Sequence, residues 1–203
     1  MNLRFYIFLL TFCHALASAV EPCSTVDQRL NDLASADQQI RQEWEDLQQK
    51  PQASSTDKDN LKQRWAAIDA GNLAQLKEII AACGWPSGAK GSHSAWLLAQ
   101  HADNDIAFQR QAKGLLEAAV KNGSGAPRDL AYLADRIAAA EGRPQEYGTQ
   151  FTQTDRCHLE MLPVDSIDAV NRRRLAIGLQ SMEAYAAEGR KRFIPADCRN
   201  DVK

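Results

Sequence analysis

His101, Asp103 and Asp105 occupy alternate positions in the run Gln100-His101-Ala102-Asp103-Asn104-Asp105, and that spacing could serve two kinds of chemistry. An imidazole titrates near neutral pH, so His101 could act as a general base with Asp103 orienting its ring. In an extended segment the same three side chains could instead converge on a metal ion. Both readings compete with a plain one. Aspartates just before a helix accept its free backbone N–H groups, so Asp103 and Asp105 are ordinary cap residues. A lone H-x-D is too unspecific to decide, and no metal ligand is assigned.

Two further groups belong with His101. Asp135 and Arg136 are adjacent on a helical stretch and point roughly 100° apart, so they do not pair with each other. Asp135 lies beside the apolar stripe of that helix and needs a partner, expected to be an arginine or histidine from another helix. Arg136 can reach Tyr132 one turn back. Tyr147-Gly148-Thr149-Gln150 then sets a phenol, a hydroxyl and an amide around a glycine. On a strand, Tyr147 and Thr149 share a face and Gln150 takes the other. That suits recognition of a polar ligand, or a strand that clamps two helices. The candidate catalytic residues are therefore His101, Asp103 and Asp135. The candidate ligand-binding residues are Gln100, Arg136, Gln145, Tyr147, Thr149 and Gln150. Ser87, Ser92 and Ser94 flank His93 without a G-x-S-x-G elbow, which argues against a serine hydrolase. There is no phosphate-binding P-loop and no dinucleotide fingerprint.

The elements that must position these residues read mostly as helices. Val26, Leu30, Leu33, Asp37, Ile40, Trp44 and Leu47 form one apolar stripe interrupted by Asp37. Asp37 and Arg41 are one turn apart and predict an intrahelical ion pair. Pro51 is the expected stop. Leu61, Trp65 and Ile68 mark a second helix, Gly71-Asn72 a break, and Leu73, Leu76, Ile79 and Ile80 a third helix capped by Asn72. Gly84-Trp85-Pro86 ends it. Ser92 or Ser94 is expected to open the next helix, which runs to His101, with Trp85 and Trp96 as core residues. Further helices follow from Ile106 and from Pro127, the latter with proline at its first position. Tyr147 to Thr152 and His158 to Leu162 favour strands, with a turn at Thr154-Asp155-Arg156. Asp165 begins a last helical region, broken at Gly178 before a short helix around Met182 and Tyr185. The predicted fold is mainly α: a compact multi-helix domain of antiparallel helix pairs, with a small β-hairpin near residues 147–162.

The start of the chain carries a different signal. Arg4 precedes the apolar run Phe5 to Leu16, and Ala17-Ser18-Ala19 is a small-residue cleavage site, so residues 1–19 read as a signal peptide. The apolar run is shorter than the about 20 residues a membrane span needs. No membrane span is expected after cleavage, and a periplasmic or secreted location is. Residues 20–203 then form one exported domain: a leading long helix over 20–52, central helices over 60–145, the hairpin within 146–164, and C-terminal helices and tail over 165–203. The formal net charge of −2 gives no reason to expect nucleic acid. Arg172-Arg173-Arg174 and Arg190-Lys191-Arg192 read as solvated helix faces. Cleavage leaves Cys23, Cys83, Cys157 and Cys198, an even set that fits disulfides in an exported chain. Three pairings are open and the sequence does not choose; the preferred one joins Cys157 to Cys198 and Cys23 to Cys83.

Gly84-Trp85-Pro86, Gly91, Gln100-His101-Ala102-Asp103, Phe108-Gln109, Leu133-x-Asp135-Arg136, Gly142-x-x-Gln145 and Tyr147-Gly148-Thr149-Gln150 together resemble a bacterial family of unknown function. Asp37-Gln38-x-x-Arg41 and the tail from Arg173 through Ile177-Gly178-Leu179 to Tyr185 share the resemblance. It implies a fold unit and a set of special positions, and no reaction. The cofactor is left unknown and so is the partner, an envelope protein being one candidate. The expected function is a periplasmic or cell-envelope binding or protein-interaction domain. The alternatives are a hydrolase-type enzyme using His101 with Asp103 or Asp135, metal-assisted in one version, and a purely structural polar network.

Overall fold

Among the described residues, four of the seven α-helices start at a side chain that accepts a free backbone N–H, and a fifth starts at a proline, which has none to hold. The structure is a computed structural model that describes residues 23–50 and 52–198. The leader and the expected stop at Pro51 lie outside the described residues. A 3-10 turn at Cys23–Thr25 leads into α1, Val26–Gln48, which buries Val26, Leu30, Ala34, Asp37 and Ile40. That is the face the apolar stripe marks, with the aspartate inside it.

The second element corrects the sequence reading. Residues 55–83 form one unbroken helix, α2, and Gly71-Asn72 lies in its middle. A mid-helix glycine costs about 1 kcal/mol. The face carrying Leu61, Leu76, Ile79 and Ile80 is buried along most of the helix, and burying such side chains outweighs that cost several times over. Asn72 is buried within the helix and caps nothing. The real start is Ser54, whose hydroxyl accepts the Asp57 N–H while the Asp57 carboxylate accepts the Ser54 N–H. α1 and α2 form a hairpin, with Trp44 and Trp65 edge-to-face at 6.0 Å near its tip. Cys23–Cys83 closes the other end.

α3, Ala89–Gln100, begins before the serines expected to open it. Ser92 and Ser94 are buried within the helix and bond to other elements: Trp85 Nε1 donates to Ser92 Oγ at 2.8 Å, and Ser94 Oγ donates to Asn31 Oδ1 at 2.7 Å. At this helix start the glycines leave room for the Asp27 side chain of α1. A Cβ on Gly88 or Gly91 would sit 2.2 or 2.0 Å from a carboxylate oxygen of Asp27. That carboxylate lies at the positive end of α3.

α4, Ile106–Lys121, is capped by Asp105, whose side chain accepts the Phe108 N–H at 2.9 Å. α5, Pro127–Ala140, carries proline in its first turn as predicted. The apolar faces of α1 to α5 meet in one core, with Leu30, Leu76, Leu116 and Leu133 fully enclosed. β1, Phe151–Gln153, and β2, Leu159–Met161, pair antiparallel with Phe151 opposite Met161. Asp155 makes the turn by accepting the N–H groups of Cys157 and His158. α6, Ile167–Ala176, and α7, Met182–Phe193, pack on the hairpin side, outside the main core. A 3-10 turn at Ala196–Cys198 follows, and Cys157–Cys198 ties it to the hairpin. Both disulfides follow the preferred pairing. The fold is mainly α with a small hairpin, and no helix among the described residues is long and apolar enough to cross a membrane.

Candidate functional site

His101 ends α3, and its ring turns to α1. Nδ1 lies 2.9 and 3.0 Å from the two carboxylate oxygens of Asp37. Neither Asp103 nor Asp135 orients the ring. That expectation is corrected, because the acid on the apolar stripe of α1 occupies the orienting position. Asp37 is 1% exposed, and Arg41 grips it from one turn on with Nε and Nη2 at 3.1 and 2.9 Å. The predicted Asp37–Arg41 pair is therefore one half of a larger cluster. Arg41 also donates to Asp69 at 3.0 Å and lies over the Trp65 ring. Burial disfavours ionised Asp37, but the hydrogen bonds and charges of His101 and Arg41 outweigh it and hold its carboxyl at about 2. An ionised Asp37 can only accept a hydrogen bond, so a neutral ring donates Nδ1–H to it and has Nε2 as its acceptor. Nε2 lies 3.4 Å from the Gln100 side-chain nitrogen.

His101 is 13% exposed and lines a cleft of about 360 Å³ together with Lys62, Trp65, Asp69, Asp103 and Asn104. The carboxyl of Asp69 is pushed up by burial despite the charge of Arg41. Among the described residues, no serine, threonine or cysteine lines this cleft. The alternate spacing at His101, Asp103 and Asp105 does not form a ligand set, because each side chain has a different partner. Asp103 pairs with Arg136, and Asp105 caps α4 and pairs with Lys77. Among the described residues, no three His, Cys, Asp or Glu groups are placed to share a metal ion.

Asp103 passes the network on to α5. Arg136 donates to both its oxygens, Nε and Nη2 each at 2.7 Å, the bidentate geometry a guanidinium favours. Burial disfavours ionised Asp103, and the bonds and charge of Arg136 lower its pKa nonetheless. Asp103 is thus an ion-pair residue rather than a cap, and Arg136 does not turn back onto Tyr132; Arg128 lies over that ring instead. The buried Gln109 of α4 donates to the Gln100 carbonyl at 3.1 Å and approaches Asp103 at 3.5 Å. Arg136 Nη1 donates to Gln150 Oε1 at 3.3 Å, and Gln150 Nε2 donates to Thr149 Oγ1 at 3.0 Å.

The segment 145–150 is a strap held from both sides. Asp135, 0% exposed, accepts the N–H groups of Glu146 and Tyr147 on one oxygen, at 2.8 and 3.0 Å, and that of Thr149 on the other at 2.9 Å. The cationic partner expected for Asp135 is replaced by three backbone donors. Burial raises its pKa against the pull of those donors. On the opposite side, Arg174 Nη1 donates to the carbonyls of Tyr147 and Gly148 at 2.7 and 3.3 Å, and Arg173 Nε donates to that of Glu146 at 2.6 Å. The peptide groups of the strap therefore lie between a carboxylate that takes their N–H groups and guanidiniums that take their carbonyls. Arg174 is 1% exposed, so the reading of Arg172-Arg173-Arg174 as a solvated face fails at its last member. Gly148 has φ +62°, and a Cβ there would meet Met182 Sδ at 2.9 Å.

Gln145, also buried, locks the ends of the strap. Its Nε2 donates to the carbonyls of Gln150 and Leu162 at 3.1 and 2.8 Å, and its Oε1 accepts the Gln150 N–H at 2.6 Å. The Tyr185 hydroxyl donates to the Thr149 carbonyl. Gln145, Thr149 and Asp135 thus face inward, while His101 and Asp103 face the cleft. Gln100, Arg136 and Gln150 link the two groups, and Tyr147 is half-buried. Sequence reasoning left Asp37, Asp69, Gln109 and Arg174 out of the site. The acid interrupting an apolar stripe points to Asp37, and the family resemblance covers Asp37 and Gln109 without giving either a role.

The fold and this network define a mainly helical domain whose elements are joined by one chain of polar side chains running from α1 to the strap. The chain belongs to a family of unknown function, DUF6624, whose model matches residues 24–190. No curated protein and no solved structure matches it.

Proposed function

We propose that this is an exported cell-envelope domain that binds a small polar ligand, or a polar segment of a partner protein, in the cleft beside His101. The observation that carries the reading is the fixed His101 ring. Asp37 holds Nδ1, so a neutral ring presents Nε2 as an oriented acceptor in a cleft that also offers two carboxylates, an ammonium and an indole. A few convergent polar groups around an aromatic wall are typical of a small-ligand site. The paired cysteines fit an oxidising compartment, and the signal-like leader is consistent with export as one domain over residues 20–203.

A second reading is favoured by the same Asp37–His101 couple. An imidazole oriented by a buried carboxylate is a competent general base. With no serine, threonine or cysteine among the described residues that line the cleft, such a hydrolase would act by activating water. In a third reading the network is purely structural and holds the strap to the helices without a ligand.

The test is native mass spectrometry of the protein purified from envelope extract, wild type beside His101→Gln. A bound mass present in the wild type and lost in the variant is expected. An unliganded wild type, together with an unchanged variant fold, overturns the binding reading. Fractionation with N-terminal sequencing checks export, which predicts a mature chain starting near Val20.

A further inference from the structure

A second cleft, of about 580 Å³, opens on the opposite side of the strap between α5, α7 and the α6–α7 connection. Its floor is Arg174. That guanidinium is buried, yet no carboxylate lies within ion-pair distance of it among the described residues. Nε donates to the Gln180 carbonyl at 2.6 Å and Nη1 to the strap carbonyls, while Nη2 has no hydrogen-bond partner among the described residues. The Tyr185 ring stacks 4.8 Å from its centre. Burial pulls the Arg174 pKa down, as expected of a desolvated cation without an adjacent counter-charge.

Two more guanidiniums stand at the rim, Arg128 from α5 and Arg192 from α7. Arg128 lies over the Tyr132 ring, and Arg192 makes one exposed contact with Glu45 at 3.1 Å, outside the cleft lining. The walls between them are aromatic: Tyr132, Phe151 and the half-exposed Phe193. One carboxylate, Glu188, shares the cleft and is bonded to the Gln180 amide. Three arginines against one acid make this cleft cationic in a chain whose overall charge is negative. Arginine forks match the oxygens of carboxylates and phosphates, and aromatic walls accept an apolar body.

We propose that this cleft binds an organic oxyanion, a carboxylate or phosphate head group carried on an aromatic or aliphatic body. The head group meets Arg174 at the floor and Arg128 and Arg192 at the rim, and the body lies along the aromatic walls. The site is separate from the His101 cleft and stands or falls independently of it.

The experiment is an NMR titration of the full, disulfide-intact chain with phenyl phosphate and with benzoate, following the Arg174 Nε–H and Gly189 N–H signals. Inorganic phosphate and benzyl alcohol serve as controls. Saturable shifts are expected with at least one of the two organic anions, and which binds more tightly identifies the head group. Inorganic phosphate and benzyl alcohol should bind more weakly, since each lacks half of the recognised structure. Because Arg174 also holds the strap, the decisive variants are at the rim. Arg128→Gln and Arg192→Gln should each weaken binding about fivefold or more, in line with the loss of a charge-assisted contact. His101→Gln should leave binding unchanged. No saturation by either anion up to about 10 mM, an affinity too weak for a built site, overturns the proposal. So does affinity unchanged in both rim variants, equal binding of benzyl alcohol, or loss of binding in His101→Gln.

Discussion

A carboxylate on the apolar face of a helix is costly unless its neighbours hold it ionised. Asp37 meets that condition through Arg41 on its own helix and His101 at the end of α3. The consequence is a measurable pH dependence. The folded carboxyl sits at about 2 against 3.8 for the unconstrained group, so the folded state binds its proton less readily than the unfolded chain does. The stability this supplies is fully present above about pH 4 and is lost as pH falls towards 2, amounting to about 2 kcal/mol. Urea unfolding followed across that range should show the loss in the wild type. Asp37→Asn should be less stable near neutral pH by about 2 kcal/mol, the worth of hydrogen bonds to a charged group, and should lack this part of the acid dependence. A variant with wild-type stability at neutral pH would mean that the His101–Asp37 couple contributes nothing to the fold.

At the scale of elements, the strap of residues 145–150 has almost no regular structure and is nevertheless fixed at every peptide. Asp135 and Arg174 lie on its two sides and communicate through the peptide groups between them. Their effects should therefore not add. In a double-mutant cycle of Asp135→Asn and Arg174→Gln, urea unfolding should give a coupling energy of about 1 kcal/mol, although the two side chains share no hydrogen bond. Strict additivity would show that the strap is held by two independent clamps. Gly148→Ala should destabilise by about 1–2 kcal/mol from the left-handed backbone alone, and by more if Met182 cannot move aside. The sequence made this element half legible. Tyr147-Gly148-Thr149-Gln150 stood out by residue type, and the glycine marked a bend. The partners were illegible because they come from elsewhere in the chain: Asp135 was given a cation it does not have, and Arg174 was left on the surface. The helices were more legible because their stripes report burial directly, as for Leu30 and Ile40 on α1. Where a local signal met tertiary packing, as at Gly71-Asn72, packing decided. His101 shows the limit most clearly, since its partner lies 64 positions away and spacing along the chain could not reach it.

Across the whole molecule the chain divides into a five-helix body with a shared core and a layer of hairpin, α6 and α7 that lies outside it. The outer layer buries few apolar side chains, Val170 and Ile194 among them, and Leu175 on α6 is 78% exposed. It is held by polar clamps on the strap and by Cys157–Cys198, whereas Cys23–Cys83 closes the α1–α2 hairpin inside the body. The two disulfides span 60 and 41 positions, and the chain-entropy model gives each about 4 kcal/mol. Their removal should nevertheless look different, because a region with little buried apolar area opens by itself before the body does. Replacing Cys157 and Cys198 by serine should lower hydrogen-exchange protection in β2, α6 and α7 while leaving α3 to α5 near their wild-type values. Replacing Cys23 and Cys83 should lower protection throughout the body, because α1 covers both α2 and α3. If both pairs of substitutions reduced protection uniformly, the outer layer would be folding as one unit with the body. The strap, rather than the disulfide, would then be the element that makes the chain cooperative.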